Sequence, residues 1–492
     1  MNRQIRTLGI GLIVLFVALF IQLNVVQVVR ADRYDADPGN NRTVVRDFTR
    51  PRGSIVTADG AVMAESVPTA DRYRYQRRYP TGELFANVSG YFSFTLGSTQ
   101  LERTQNATLS GTTSRLELQG LGNLFNDQVN TGDVVTTLRA DLQQVAKDAL
   151  GDRDGSVVLL DPRTGAIKAL WSFPSYDPNL IASHDFDAAK AAKTFYDAYP
   201  GKPLLANSYQ ERYLPGSTFK VVTATAALES GKYTLDSYFP PVDSYLPPQT
   251  TKPIHNYGGS TCGGTFVEVF RRSCNTAFAE MAVNVGAPDM VATAERYGFN
   301  FAPPFDLPRP AKSVFGTVAD FVNNIPLLAI AGFGQGNTQA TPLEMALVAA
   351  GVANGGQIMT PYVVDKTIDR QGRTLTQTTP TPWRKAMEPG TATTLRDLMV
   401  EVVNNGTAKC CMQLAGGIQA AAKTGTAQLN PEGQPPASHA WIIAFAPAAQ
   451  PRYAIAVMVK ATPEVTAGTG GTVAGPIAKT VLDAALALPD GA

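Results

Sequence analysis

Hydrophobic and polar positions change period several times along the chain, and each change marks a segment. An apolar run from Leu8 to Val29 is broken only by Gln22, Asn24 and Gln27, near its far end. At the rise of an α-helix it measures roughly 30 Å, one hydrocarbon core. A cleaved signal peptide is the alternative, but Val28-Val29-Arg30-Ala31 offers no small-x-small site and the run is long for a leader, so an uncleaved anchor is expected. Arg3 and Arg6 precede the run, while Arg30 and Arg33 follow it, so the charge bias is slight. No second run follows, so an N-terminus inside the cell puts the remaining chain, about 460 residues, outside.

After the anchor, Arg72–Tyr75 and Tyr91–Phe94 alternate as half-buried strands do, which predicts a β-rich pedestal over residues 30–130. Gly132–Leu138 then reads as a strand, and Leu142–Leu150 as a helix stopped by Gly151. Ser156–Leu160, the turn Asp161–Gly165 and Ala166–Trp171 read as a hairpin. Trp441–Phe445 and Tyr453–Val459 form a second apolar strand pair, followed by a helical pattern over Val473–Leu486. The middle, about 217–410, reads as mostly helical, with Pro/Gly-rich loops at 239–264 and 302–310. Strands at both ends with helices between predict an α+β domain, one antiparallel sheet closed by its own termini and packed by helices.

Composition narrows the function. Of 492 residues, 44% are hydrophobic and 17% charged, which suits a sizeable core in several segments. Forty-two Lys+Arg against 41 Asp+Glu leave a net charge of +1, which gives no footing for nucleic acid. The three histidines, His184, His255 and His439, lie far apart, which disfavours a histidine-built zinc site. No GxSxG elbow is present. The four cysteines, Cys262, Cys274, Cys410 and Cys411, are compatible with an exported chain in which disulfides are permitted.

Three short motifs carry chemistry. In Ser217-Thr218-Phe219-Lys220, at a helix start, the serine and lysine stand one turn apart. A serine hydroxyl needs an adjacent base, and a lysine serves only if burial or a nearby cation lowers its pKa. Taken alone, this pattern reads better as a helix-capping serine with a solvated lysine. It is followed, in order, by Ser273-Cys274-Asn275 and by Lys423-Thr424-Gly425-Thr426-Ala427. The stretch Gly417–Thr424 comes one residue short of a phosphate-binding loop, but Ala422 replaces the second glycine whose freedom such a loop needs. A strand edge at Lys423–Gln428, with a lysine and hydroxyls facing a carboxylate, is the better reading.

The triplet resembles the signature of the penicillin-binding proteins and serine β-lactamases. The rest of the chain resembles the class B penicillin-binding proteins, in particular the short actinobacterial penicillin-binding protein A type, which lacks C-terminal accessory repeats. The likeness rests on Arg52-Gly53-Ser54-Ile55, Asp59-Gly60, Met63-Ala64, Gly132-Asp133 through Leu150, Ser172–Asn179, Gly334-Gln335-Gly336 and Thr341–Ala346. About 100 residues between 30 and 130 are too few for the glycosyltransferase domain of a class A enzyme. The resemblance implies a tail (1–7), an anchor (8–29), a pedestal or dimerisation-like domain (30–130) and a penicillin-binding transpeptidase domain (131–492).

It also implies a D,D-transpeptidase that acts on D-Ala-D-Ala stem peptides, is blocked by β-lactams and needs no metal or cofactor. Ser217 would be the nucleophile and Lys220 its base. Ser273 with Lys423 would relay the proton, and Asn275 would orient the peptide. Thr424, Gly425 and Thr426 would hold the substrate carboxylate, and backbone N–H groups of Ser217 and Thr426 would form the oxyanion hole. A membrane glycosyltransferase of the shape, elongation, division and sporulation family would be the partner. The alternatives are a D,D-carboxypeptidase or β-lactamase-type hydrolase, and a non-catalytic β-lactam sensor. Cys274 lies inside the second motif and Cys262 in the Gly-rich loop before it, so these two are the candidate disulfide. A vicinal Cys410–Cys411 bridge, cross-pairing and four free thiols stay open.

Overall fold

The computed structural model describes residues 2–26, 48–116, 130–430, 437–461 and 468–491. Asn2–Asn24 is one helix with its apolar side chains exposed, and Arg3–Asn24 is long and apolar enough to cross a membrane. The last three residues of the expected span, 27–29, lie outside the described residues.

The central sheet has five antiparallel strands in the order Ala421–Gln428, Ser438–Ala446, Tyr453–Val459, Gly155–Leu160, Ile167–Phe173. Its middle is closed by the ends of the domain: Val457, near the C-terminus, pairs with Val157 near the start. Every residue of Gly155–Leu160, Ser438–Ala446 and Tyr453–Val459 is buried. That explains why these strands read as continuous apolar runs rather than alternating ones: both faces are covered. Pro342–Ala353, buried over eleven of its positions, packs on one face. Gly475–Ala487 and Ala140–Leu150 pack on the other and against each other.

A second sheet runs Thr374–Gln377, Val364–Asp369, Gly132–Thr136, Ile55–Val56, Val62–Pro68, Tyr75–Arg78. Ile55 pairs in parallel with Val134 and Thr367 pairs antiparallel with the same residue, so strands from both sides of 130/131 share this sheet. Two expectations change. The pedestal is mixed rather than β-rich: among the described residues, short helical segments at Gly82–Phe85, Ala86–Ser89, Gln100–Thr104 and Asn106–Ser110 alternate with short strands. Arg72–Arg74 form a turn with Arg74 at φ 67°, so the strand begins only at Tyr75, and only Phe92–Ser93 of the second stretch is strand. The helical middle likewise contains four strands between Gln357 and Lys385, two of which extend the second sheet. They are three to six residues long, and Val364–Asp369 is held by the distant strand Gly132–Thr136, so no local period marks them.

The pedestal is fastened by a buried charge cluster. Glu102 accepts from Arg52 Nε at 2.7 Å and from Arg77 Nε at 2.6 Å, and Tyr79 donates to it at 3.2 Å. Arg77 also donates to the Gly53 carbonyl at 2.8 Å. Burial opposes the Glu102 charge, but Arg77 and Arg52 outweigh it and hold the carboxyl below its usual range. Removing one partner of such a cluster strands the others without water. Glu102→Ala is therefore expected to cost about 3–5 kcal/mol in urea unfolding, against a change within about 0.5 kcal/mol for an exposed acid such as Asp152→Ala.

Candidate active site

Gly216–Phe219 is a 3₁₀ turn that runs directly into the helix Lys220–Glu229. Ser217 sits half-buried on this turn, and no hydrogen bond to its hydroxyl is present among the described residues. The turn is pinned by close backbone approaches. Gly216 has φ 54° and donates to the Gly334 carbonyl at 2.9 Å, and a Cβ on Gly334 would stand 2.1 Å from Gly216 O. On the other side a Cβ on Gly216 would lie 3.0 Å from Thr426 C and O, and one on Gly425 would lie 2.9 Å from Pro215 O. The serine turn thus rests directly on the backbone of the edge strand Ala421–Gln428, and glycines at these contacts make that spacing available.

Lys220 is fully buried, and its Nζ turns to the second motif. It lies 2.7 Å from Ser273 O, 2.8 Å from Asn275 Oδ1 and 3.2 Å from Ser273 Oγ. Asn275 Nδ2 donates to His255 O at 3.2 Å, which sets its Oδ1 toward the lysine. Burial, and then the positive charge of Lys423, push Lys220 well below the ordinary lysine value. A neutral amine has two N–H donors and one lone pair. The Ser273 carbonyl and Asn275 Oδ1 can only accept, so they take both donors and leave the lone pair for a hydroxyl proton.

Lys423 is also fully buried and donates to Ser273 Oγ at 2.9 Å and to Thr424 O at 3.0 Å. Burial lowers its pKa to about 7. Ser273 Oγ stands within hydrogen-bond distance of both lysines. Four of the five expected catalytic residues therefore form one hydrogen-bonded cluster, and Ser217 joins it through the turn preceding Lys220. Of the expected carboxylate holders, Thr426 is half-buried, Gly425 abuts the serine turn, and the buried Thr424 shares a hydroxyl–hydroxyl contact of 2.5 Å with Thr407.

Ser273 caps the helix Phe266–Arg272 in the left-handed region, φ 63°, where a non-glycine residue carries a cost of about 1–2 kcal/mol. The next residue, Cys274, is disulfide-bonded to Cys262, with Cα atoms 5.6 Å apart. Cys262 belongs to the strand Cys262–Thr265, paired with Tyr238–Val242, so the bridge ties that loop to the second motif. In the chain-entropy model such a short loop contributes about 3 kcal/mol. Non-reducing peptide mapping of protein isolated under oxidising conditions is expected to recover Cys262 and Cys274 in one linked pair. Free thiols at both positions would contradict the arrangement. Cys410 and Cys411 are free.

Several participants escaped the sequence reading. Asn256 accepts from Thr276 N at 3.1 Å and donates to Val242 O at 2.9 Å, and so steadies the start of the Asn275 helix. Phe278, with its ring centroid 5.3 Å from Lys220 Nζ, and Phe270, 5.9 Å from Lys423 Nζ, supply the apolar walls. Thr407 reaches Thr424 from outside any motif. No local pattern distinguishes these residues, because each acts through a contact made only in three dimensions.

Comparison with known proteins agrees with this geometry. The penicillin binding protein transpeptidase domain family matches residues 155–483, and the penicillin binding protein A dimerisation domain family matches residues 52–135. The chain is 39% identical to peptidoglycan D,D-transpeptidase PbpA of Mycolicibacterium smegmatis over 99% of both chains, and 37% identical to PbpA of Mycobacterium tuberculosis over 99% of both. Among solved structures, the ceftriaxone acyl-enzyme complex of penicillin-binding protein A from M. tuberculosis superposes with a TM-score of 0.83 at 36% identity, covering 90% of this chain and 100% of that one. The penicillin G acyl-enzyme complex of that protein gives a TM-score of 0.82. With a serine turn at a helix start, two buried lysines around one serine and a glycine-bearing edge strand in place, the chain belongs to the penicillin-binding protein transpeptidase family.

Proposed function

We propose that this chain is a peptidoglycan D,D-transpeptidase that crosslinks stem peptides through an acyl-enzyme on Ser217. The observation that carries the reading is Lys220: buried, its charge disfavoured, both N–H donors committed, and one turn from a serine whose hydroxyl makes no hydrogen bond among the described residues.

Ser217 Oγ attacks the penultimate carbonyl of a D-Ala-D-Ala stem and passes its proton to Lys220 Nζ. Backbone N–H groups of Ser217 and Thr426 hold the developing oxyanion. The proton then travels through Ser273 Oγ to the departing D-Ala amine, with Lys423 donating into the same oxygen. Asn275 holds the peptide amide. The terminal carboxylate lies against Thr424, Gly425 and Thr426, and its negative charge favours protonated Lys423. An amine from a neighbouring stem next attacks the acyl-enzyme, Lys220 takes its proton and passes it to the departing Ser217 Oγ, and an amide crosslink replaces the ester. A β-lactam enters by the same first step and stays bound to Ser217.

The apolar run over residues 8–29 serves as a single-pass anchor, with residues 1–7 in the cytoplasm and the catalytic domain outside. The pedestal, residues 30–130, docks a membrane glycosyltransferase of the shape, elongation, division and sporulation family and does no chemistry. Its strands share a sheet with Gly132–Thr136, which supports a rigid coupling between the docking and catalytic parts. The decisive assay supplies purified protein with lipid-linked precursor and a polymerising glycosyltransferase. Crosslinked dimer is the expected product, and release of D-Ala without dimer would reassign the protein as a hydrolase.

A further inference from the structure

We propose that Cys410 and Cys411 form a thiol–disulfide exchange site whose oxidation to a vicinal bridge slows acylation of Ser217. The two sulfurs lie 3.0 Å apart, with Cys410 exposed and Cys411 buried. They occupy a recess lined by glycine backbone. A Cβ at Gly471 would stand 3.4 Å from Cys410 Sγ, and one at Gly475 only 2.6 Å from Cys411 Sγ. Cys410 Sγ lies 3.9 Å from Thr407 O and 3.8 Å from Gly471 O, and Cys411 Sγ lies 3.6 Å from Ala408 O. The catalytic scheme uses none of these groups.

The link to the site is Thr407. Its carbonyl faces Cys410 Sγ, while its hydroxyl meets Thr424 Oγ1 at 2.5 Å on the substrate strand. Its N–H donates to Arg271 O, two residues before Ser273. The segment that carries the thiols therefore braces the second and third motifs against each other.

The reactant is a small disulfide, RSSR. The Cys410 thiol loses its proton and attacks one sulfur, forming Cys410–S–S–R and releasing RSH. Cys411 then attacks Cys410 Sγ, giving the vicinal bridge and a second RSH. Two protons and two electrons pass from the cysteines to RSSR, and the chain loses two hydrogens. Exposure makes Cys410 the first nucleophile. Burial, and then the neighbouring Cys410, raise Cys411 to about 12, so the second step is the slow one. Closing a ring between adjacent residues twists the backbone at 410–411 and withdraws Cys410 Sγ from Thr407 O and Gly471 O. Thr407 then loosens from Thr424.

The effect on rate rests on the transpeptidase reading, whereas the exchange chemistry does not. The test uses full-length protein in detergent with oxidised glutathione as the disulfide, followed by alkylation of remaining thiols and trypsin cleavage after Lys409. The peptide Cys410–Lys423 is expected to be unalkylated and two hydrogens light. Acylation by a fluorescent penicillin is expected to slow about fivefold, the worth of one hydrogen bond. Cys410→Ser should keep the reduced-state rate with and without glutathione, and because it leaves Cys262–Cys274 untouched it isolates the effect. Alkylation of both thiols, a glutathione adduct that never closes, or a bridge with unchanged acylation would each overturn the proposal. Absence of labelling in the reduced protein would instead count against the transpeptidase reading, while the peptide mass still decides the exchange site.

Discussion

Ser217→Ala is expected to abolish covalent labelling by fluorescent penicillin and crosslinking alike, a loss on the order of 10⁴-fold or more, as when the nucleophile of a serine enzyme is removed. The substitution deletes one oxygen at a half-buried position whose hydroxyl makes no hydrogen bond among the described residues, so little stability should be lost. Thermal unfolding of the variant should match that of the parent. Mass mapping of the parent should find the adduct on the peptide containing Ser217. A label surviving in the alanine variant would show that another nucleophile accepts the acyl group.

Lys220→Arg should come next in size, with acylation falling by about 10²–10⁴-fold, the usual worth of a general base. Arginine can still reach the Ser273 carbonyl and Asn275 Oδ1, but it cannot surrender a proton near neutrality. The pH dependence of the parent sharpens the test. Lys220 acts as base only when neutral, so acylation rises with pH as the pH climbs through its depressed pKa. Lys423 attracts a carboxylate only when protonated, so binding by the free enzyme weakens as pH rises through about 7. The second-order rate is therefore bell-shaped, with its alkaline limb near neutrality. Near-normal acylation by the arginine variant, or a profile flat across neutral pH, would remove the lysines from these roles.

The legible part of this protein is the part written locally. Helix starts and stops, such as Gly151 after Leu150 and the hairpin turn Asp161–Gly165, are decided by a few neighbouring residues, and the structure follows them closely. Continuous apolar runs at 441–445 and 453–459 announce strands covered on both faces. The three motifs could be read because the order and chemistry of Ser217-x-x-Lys220, Ser273-x-Asn275 and Lys423-Thr424-Gly425 survive without coordinates. The four strands of 357–385 could not. They are short, and what makes Val364–Asp369 a strand is its ladder to Gly132–Thr136, more than two hundred residues away.

Sequence alone thus showed the apolar N-terminal run and the apolar strand pairs at the two ends of the domain, since each depends on a period within one helix or strand, while the expected roles of Ser217 and Lys220 came from the order of the three motifs and the resemblance they carry. Only the tertiary structure shows that both lysines are fully buried, with Phe278 and Phe270 beside them, and that this burial lowers their pKa values. It also decided that Gly334 and Gly425 are spacers for the serine turn, that Cys262 lies close enough to Cys274 to bridge, and that Thr407 touches Thr424. Each of these is a distance between segments set by how the sheet and its helices close, a quantity that no window along the chain contains.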